Sequence, residues 1–389
     1  MRLIYTGEPA PEKFSKSIFL AGPTPRSRDV QSWRTEALRL LLKKGYDGAV
    51  FVPENRFPDD KVDYDDQIDW EHRYLNMSDC VLFWIPRDLQ TLPAFTTNVE
   101  FGWWVNSGKT VLGSPKDAPK MEYLNRFAEQ EFVPQADTLE ATIDLALKFV
   151  GNGADRESGE RYIPVYVWRT PWFQKWYQTQ KMAGNRLESA KVDWVKRIGK
   201  QKERIYLWAL HPNVFIGSEN RHKTNESVLG RPDVSTIVVY KRGPTILTSK
   251  VALVREFRSS AVTEDGFIWE NPSGSSPNLF LDPKEAAVEE LGEETGLKIS
   301  IDRLVEHGGR QLAGTLSVHR SHLFSLEVTD EELLWLESQK GIPHGADLDI
   351  PTGERTYIEI MTVREMLSRN LTDWSHIGMI LSVLQKTGN

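Results

Sequence analysis

Four short, continuous apolar runs separated by amphipathic helical patterns constrain the first 150 residues of this 389-residue chain more than any other feature. The runs are SIFLAG (17–22), GAVFVPE (48–54), DCVLFWI (79–85) and TVLGS (110–114). Helical patterns occupy 30–44, 67–77, 97–107, 119–129 and 138–150. Strands without polar alternation are buried on both faces, and the intervening helices supply the covering layers. The pattern therefore predicts an α/β domain with a parallel sheet and helices on both sides. Sheets of this kind bind ligands at the carboxyl ends of their strands. That directs attention to Ala21, Gly22 and Pro23, to PEN (53–55), to PRD (86–88) and to the helix opening near Thr97.

GNGADRESGE (151–160), with three glycines and no periodicity, is predicted to be a linker. A basic, Trp-rich helical connector is expected over 161–204, and a strand-rich α+β domain with a mixed sheet over 205–389. The net charge of -7 argues against nucleic acid as the principal partner. Trp168, Trp172 and Trp176 recur at helical spacing and predict a packed face. No apolar run approaches the roughly 20 residues that span a bilayer. The N-terminal sequence has no continuous apolar segment, and the one cysteine, Cys80, lies inside an apolar run as a buried thiol. A cytoplasmic protein without a membrane partner is the expectation.

The chemistry of the first domain centres on TTNVEFGWWV (96–105), where Glu100 is placed in the first turn of a helix. There the helix dipole would lower its pKa, and an ionised carboxylate beside a strand-end cleft suits attack on a sugar anomeric carbon. Spacing alone favours a helix-capping acid. IFLAGPTPRSRDVQSWRTEAL (18–38), the acidic loop before QIDWEHRYL (67–75), SDCVLFWIPR (78–87) and TTNVEFG (96–102) together resemble the nucleoside 2-deoxyribosyltransferase-like family. The resemblance implies a flavodoxin-like sheet, with the turn Ala21–Pro23 and Thr97 at the nucleoside site. It implies Glu100 as nucleophile on C1′, and Glu71, eight residues before Asp79, as the acid that contacts or protonates the base. The better-known transferases have Asp at that place, and Trp70 stands beside it as a substrate-contact candidate. Arg26 and Arg87, just past two of the strands, are candidates for receiving a 5′-phosphate.

DPKEAAVEELGEETGL (282–297) is a helix with its start written in: Asp282 as N-cap, Pro283 in the first position, Glu285 completing a capping box, Gly296 as the stop. Glu290, Glu293 and Glu294 fall on one face, where like charges repel unless a cation neutralises them. Oxygen ligands suit Mg2+ or Mn2+. FIWENPSG (267–274) with AAVEELGEETGL (286–297) resembles the Nudix hydrolases, towards the ADP-ribose and ADP-sugar pyrophosphatases. The resemblance assigns metal to Glu290, Glu293, Glu294 and the Ser273 carbonyl. It places Glu293 and Glu294 in catalysis, Glu270 at the substrate, and Glu354 (with Asp347 and Asp349 nearby) as the residue that orients water. Glu289 stands where that family's signature has Arg, and Leu281 where it has Glu. His319 and His322, three apart in a strand, point to opposite faces and are expected to be structural.

The sequence thus predicts a two-domain nucleotide-processing enzyme acting on a nucleoside or nucleotide. One domain would cleave or transfer at an N-glycosidic bond, and the other would hydrolyse a diphosphate linkage. The alternative is a sensor whose altered Nudix domain binds a nucleotide without turnover. The transferase resemblance also allows a homo-oligomer.

Overall fold

The computed structural model describes residues 1–27, 29–57, 62–275, 281–346, 348–350 and 353–386, and the chain divides into two units, 1–230 and 231–389. The first unit is built on a six-stranded parallel sheet. Its strands are β1 (Arg2–Tyr5), β2 (Ser17–Ala21), β3 (Ala49–Val52), β4 (Cys80–Trp84), β5 (Thr110–Gly113) and β6 (Gln135–Ala136), in the order β1-β3-β2-β4-β5-β6. Apart from the added edge strand β1, this is the doubly wound order of a flavodoxin-like fold.

The covering helices are α1 (Trp33–Lys43), α2 (Tyr64–Met77), α3 (Phe95–Trp104), α4 (Glu122–Gln130) and α5 (Leu139–Val150). Because side chains alternate along a strand, each central strand feeds two cores. Phe19, Val81 and Phe83 pack with Trp70, Tyr74, Phe101 and Leu124 on one face. Ile18, Leu20, Cys80 and Leu82 pack with Ala37, Leu40, Ile143 and Ala146 on the other. Both faces are buried, as continuous apolar runs require. Burial also pushes the Cys80 thiol far up, so it stays an inert core group.

The segment read from sequence as a linker is instead stitched into this unit. Arg156–Glu157 pairs with Lys13–Phe14. The Arg156 guanidinium holds Asp79 through two bonds, 2.7 Å to Oδ1 and 2.6 Å to Oδ2, with both side chains wholly buried. Asp79 Oδ1 also accepts from the Val165 amide at 2.6 Å, and Oδ2 from the Ser17 amide at 2.8 Å. A glycine-rich composition hid a buried ion pair.

The region 161–204 is helical only in its first half. After a single turn at Val165–Trp168 comes α6 (Pro171–Met182), and then a long antiparallel hairpin, β7 (Arg186–Ile198) against β8 (Arg204–Ile216). The tryptophans do pack: Trp172 is buried, and Trp168 and Trp176 join Phe173, Tyr177 and Trp208 in one aromatic cluster. The chain leaves this unit at 230 rather than near 205, because Val228–Gly230 pairs with β8.

The second unit carries a mixed sheet. β9 (Val234–Lys241) runs parallel to β13 (Arg320–Glu327) and antiparallel to β10 (Lys250–Phe257). β11 (Phe267–Glu270) and β14 (Thr356–Thr362) flank β10, and β12 (Val305–Gln311) lies beyond β13. Helix α7 (Pro283–Thr295) packs on one face through Ala287 and Leu291. Helix α9 (Trp374–Lys386), which follows α8 (Asp330–Ser338), packs on the other through Ile380 and Val383. Asp282 caps α7, but on the Lys284 amide at 2.8 Å and without a reciprocal Glu285 bond among the described residues; Gly296 ends it at φ +73°. His322 pairs with Asp233 at 3.1 Å and His319 with Ser317 at 2.7 Å, on separate partners. Among the described residues no helix is long and apolar enough to cross a membrane.

Removing one partner of a buried ion pair strands the other charge, so Arg156→Ala should lower the unfolding free energy by about 3–5 kcal/mol. Urea denaturation followed by far-UV circular dichroism checks this, and a loss under about 1 kcal/mol would mean that the pair is dispensable.

Candidate active site

In the first unit the carboxyl ends of β2, β3 and β4 meet over a cleft of about 300 Å³. Gly22 to Thr24 enter it after β2, Pro53 after β3, Pro93 and Ala94 from the loop after β4, Gln67 and Glu71 from α2, and Phe95 to Thr97 with Glu100 from α3. This is the position at which the strand order reverses, where loops from neighbouring strands part and leave a crevice. Gly22 is required here: a Cβ at its position would lie 2.3 Å from the Trp84 carbonyl and 2.7 Å from the Trp33 ring. Ala21 is buried in the sheet behind the cleft, and the Pro23 carbonyl accepts from Trp33 Nε1 at 3.0 Å.

Glu100 sits one turn later than its sequence reading. Helix α3 begins at Phe95, after Ala94 in the left-handed region (φ 60°), which puts Glu100 in the second turn. The dipole therefore does not set its pKa, since that effect fades beyond the first turn. Burial pushes the carboxyl up to about 7, the nearby Glu71 adds to the rise, and Arg34 opposes it. Burial also raises Glu71, with the bond from Gln67 Nε2 (2.9 Å to Oε1) and the Arg34 charge acting the other way. Two carboxyls thus face one cleft, both held above the ordinary carboxylate range.

Arg34, which sequence reasoning missed, organises this wall. Its guanidinium donates to the Leu20 carbonyl (3.0 Å), the Gly22 carbonyl (2.6 Å), Thr24 Oγ1 (3.1 Å) and Glu54 Oε1 (2.7 Å). The signal was available: Arg34 falls on the buried stripe of α1, with Ala37 and Leu41 at i+3 and i+7. Thr97 and Arg26 do line the cleft, and Arg26 lies over the Phe95 ring at 5.6 Å.

Two sequence assignments are corrected. Arg87 is buried away from the cleft and tethers the loop after β4, donating to the Lys120 carbonyl at 2.7 Å and to Asn98 Oδ1. Trp70 is a core residue packed on Phe19, Phe51 and Tyr74, and its Nε1 bonds the Glu8 carbonyl at 2.9 Å.

In the second unit, Glu256, Glu294 and Glu354 each present an oxygen within 4.8 Å of the others. Burial raises Glu294 well above the ordinary range, and raises Glu256 and Glu290 to about 7. Crowding adds to this: the charges of Glu293 and Glu354 raise Glu290 further. Glu290 lies against the Gly274 backbone, whose added Cβ would meet its carboxylate at 2.2 Å. Such a donor set could hold a hard divalent cation.

The helix triad is therefore redistributed. Glu294 belongs to the cluster. Glu290, at i−4, is half-buried and interacts with Glu294 and Glu354 through its charge. Glu293 is exposed and acts on Glu290 only through its charge. Glu256, at the end of β10, was missed because alternation along a strand does not reveal which strand ends face a site. The Ser273 amide donates to Glu294 Oε2 at 2.9 Å. Glu270 is engaged by Arg258 at 2.7 and 2.9 Å; Arg258 also reaches Glu256 at 2.8 Å and stands 4.0 Å from Glu354. A cation from the β10 end thus stands among the carboxylates of Glu256, Glu270 and Glu354. Trp269 is buried beneath Arg369, and Asp347 lies outside the described residues.

Residues 15–118 match the family model described as nucleoside 2-deoxyribosyltransferase like. The match takes in β2 to β5, Arg34, Glu71 and Glu100, and stops before the β7–β8 hairpin and the second unit. The first unit therefore carries a nucleoside 2-deoxyribosyltransferase-like domain. The Nudix resemblance over 267–297 draws no support from this match. No curated protein matches the chain significantly.

Because folded Glu100 keeps a proton that the unfolded chain releases near pH 4.5, its contribution to stability is full below that pH and is lost as pH rises to about 7. Glu100→Gln should remove that loss, raising stability at pH 8 relative to wild type by on the order of 2 kcal/mol. Urea midpoints at pH 4 and pH 8 check the sign.

Proposed function

We propose that the first unit cleaves or transfers at the N-glycosidic bond of a nucleoside or nucleotide. The observation that carries this reading is the pair Glu71 and Glu100 facing one cleft at the switch point of the sheet. Burial raises both carboxyls, Glu100 to about 7, so Glu100 changes its protonation near neutrality. The reactive form has the charge on Glu100 and the proton on Glu71. The Glu100 carboxylate attacks C1′ and the C1′–N bond breaks. The base nitrogen takes the electron pair and the Glu71 proton, leaving a glycosyl-enzyme ester. Water then gives hydrolysis and a second base gives transfer, with Glu71 returning as general base. Arg34 holds the Gly22–Thr24 turn against the sugar, and Arg26 at the rim suits a 5′-phosphate.

The acidic cluster favours a second activity. We infer that Glu290, Glu294, Glu256 and Glu354 bind Mg2+ or Mn2+ and that this unit hydrolyses the diphosphate of an ADP-ribose-like substrate. The metal would supply Lewis-acid polarisation of the phosphate, and Glu354 would orient the attacking water. The two reactions are consecutive on one class of molecule, since loss of the base from a dinucleotide such as NAD leaves a diphosphate. In the alternative reading this unit binds the nucleotide without turnover and serves as a sensor.

Glu100→Gln should cut base release from a nucleoside panel by about a thousandfold or more, as removing a nucleophile commonly does. Chromatographic detection of free base checks it, and unchanged release removes the assignment. For the second unit, Mn2+ should raise the melting temperature of wild type and fail to do so in Glu294→Gln. ADP-ribose turnover with either metal supports the hydrolase, whereas binding without product supports the sensor.

A further inference from the structure

The cleft does not close behind its two carboxyls. A second cavity of about 470 Å³ adjoins it and shares Tyr64, Ile68, Glu71, Thr96 and Glu100 as a common wall. The two differ in character. The first is walled by the Gly22–Thr24 turn, Arg26, Arg34 and Thr97, groups that suit sugar hydroxyls and phosphate. The second is walled by Trp103 and Trp104 of α3, by Tyr166, and by Lys191 to Val195 of β7.

The lysines of its described lining, Lys109 and Lys191, both have partners. Lys109 Nζ donates to the carbonyls of Leu75 (2.5 Å), Asn76 (2.8 Å) and Ser78 (2.9 Å) and lies 4.7 Å from the Trp104 ring. The Tyr166 hydroxyl donates to the Ser107 carbonyl at 3.1 Å, and Lys191 stands 3.7 Å from Asp193. Two large indoles nevertheless stay open here, Trp103 68% and Trp194 48% exposed. Open aromatic surface rimmed by polar groups in a concave site marks a place for a flat ligand. Trp194 comes from the hairpin, which lies beyond the family-matched residues 15–118.

The geometry points to an aglycone chamber. With the sugar in the polar cleft and the scissile bond at Glu71 and Glu100, the leaving group enters the aromatic cavity. The preferred substrate is an N-glycoside whose heteroaromatic base carries a neutral, apolar extension, the ring lying against Trp103 and the extension against Trp194. This rests on the reading of Glu100 as the nucleophile.

The test compares kcat/KM of the full-length protein for N6-benzyladenosine against adenosine, and for the matching 2′-deoxy pair, in wild type, Trp103→Ala and Trp194→Ala. The benzyl compound should be favoured about tenfold or more in wild type, with the ratio collapsing towards one in both variants. A wild-type ratio near one, or a ratio unmoved by both substitutions, overturns the proposal. Calorimetric titration with N6-benzyladenine and with adenine reads the chamber without chemistry. Tighter binding of the benzyl base, lost in Trp194→Ala, with no nucleoside cleaved, retains the chamber and removes the glycosidase reading. Cleavage without benzyl preference removes the chamber alone, and neither binding nor cleavage removes both.

Discussion

The buried pair of Asp79 and Arg156 is the constraint on which the first unit depends. A carboxylate taken wholly out of water needs its oxygens satisfied, and Asp79 meets that demand with groups from three distant parts of the chain. Ser17 opens the central strand β2, Arg156 lies in the glycine-rich segment after the sheet, and the Val165 amide begins the helical turn that follows. Because Asp79 immediately precedes β4, the same contacts that close the base of the sheet anchor the segment from Arg156 to Val165. The β7–β8 hairpin, and with it one wall of the aromatic chamber, is held from the end of the sheet opposite to the cleft.

Both sites use the same physical device. In each, burial raises carboxyls above their ordinary range, and a single arginine limits the rise. Arg34 does this beside Glu71 and Glu100; Arg258 does it at Glu256. The difference lies in the number of acids. Two carboxyls face the first cleft, an arrangement that suits the proposed covalent attack and proton delivery, whereas three carboxylate oxygens converge in the second unit, a donor set that a divalent ion would suit.

The sheet was legible in the sequence because continuous apolar runs have few other folds open to them, and helices α1 to α5 follow from their periodicity. Thr97 and Glu100 could be located because the strand ends of such a sheet converge, whereas Glu71, on a covering helix, was placed only by the family resemblance. Arg34 escaped notice because a charge on a buried helical stripe looks like an interruption of the pattern rather than its purpose. Arg87 and Trp70 were misplaced for the opposite reason: proximity along the chain to a strand end or to Glu71 does not say which way a side chain points. The segment 151–160 shows the limit of composition, since three glycines conceal one arginine whose partner lies 77 residues earlier. The split of the helical triad into Glu290 and Glu294 against Glu293 could not be read without knowing which side of α7 meets β10.

The left-handed Ala94 ahead of α3 acts as a phasing element. A helix turns about 100° per residue, so starting α3 one residue earlier or later would swing Glu100 from the cleft wall towards solvent or core. Anchoring of the preceding loop by Arg87 to the Lys120 carbonyl and to Asn98 fixes where that winding begins. Changes in loop length between β4 and α3 are therefore changes in the rotational setting of the nucleophile.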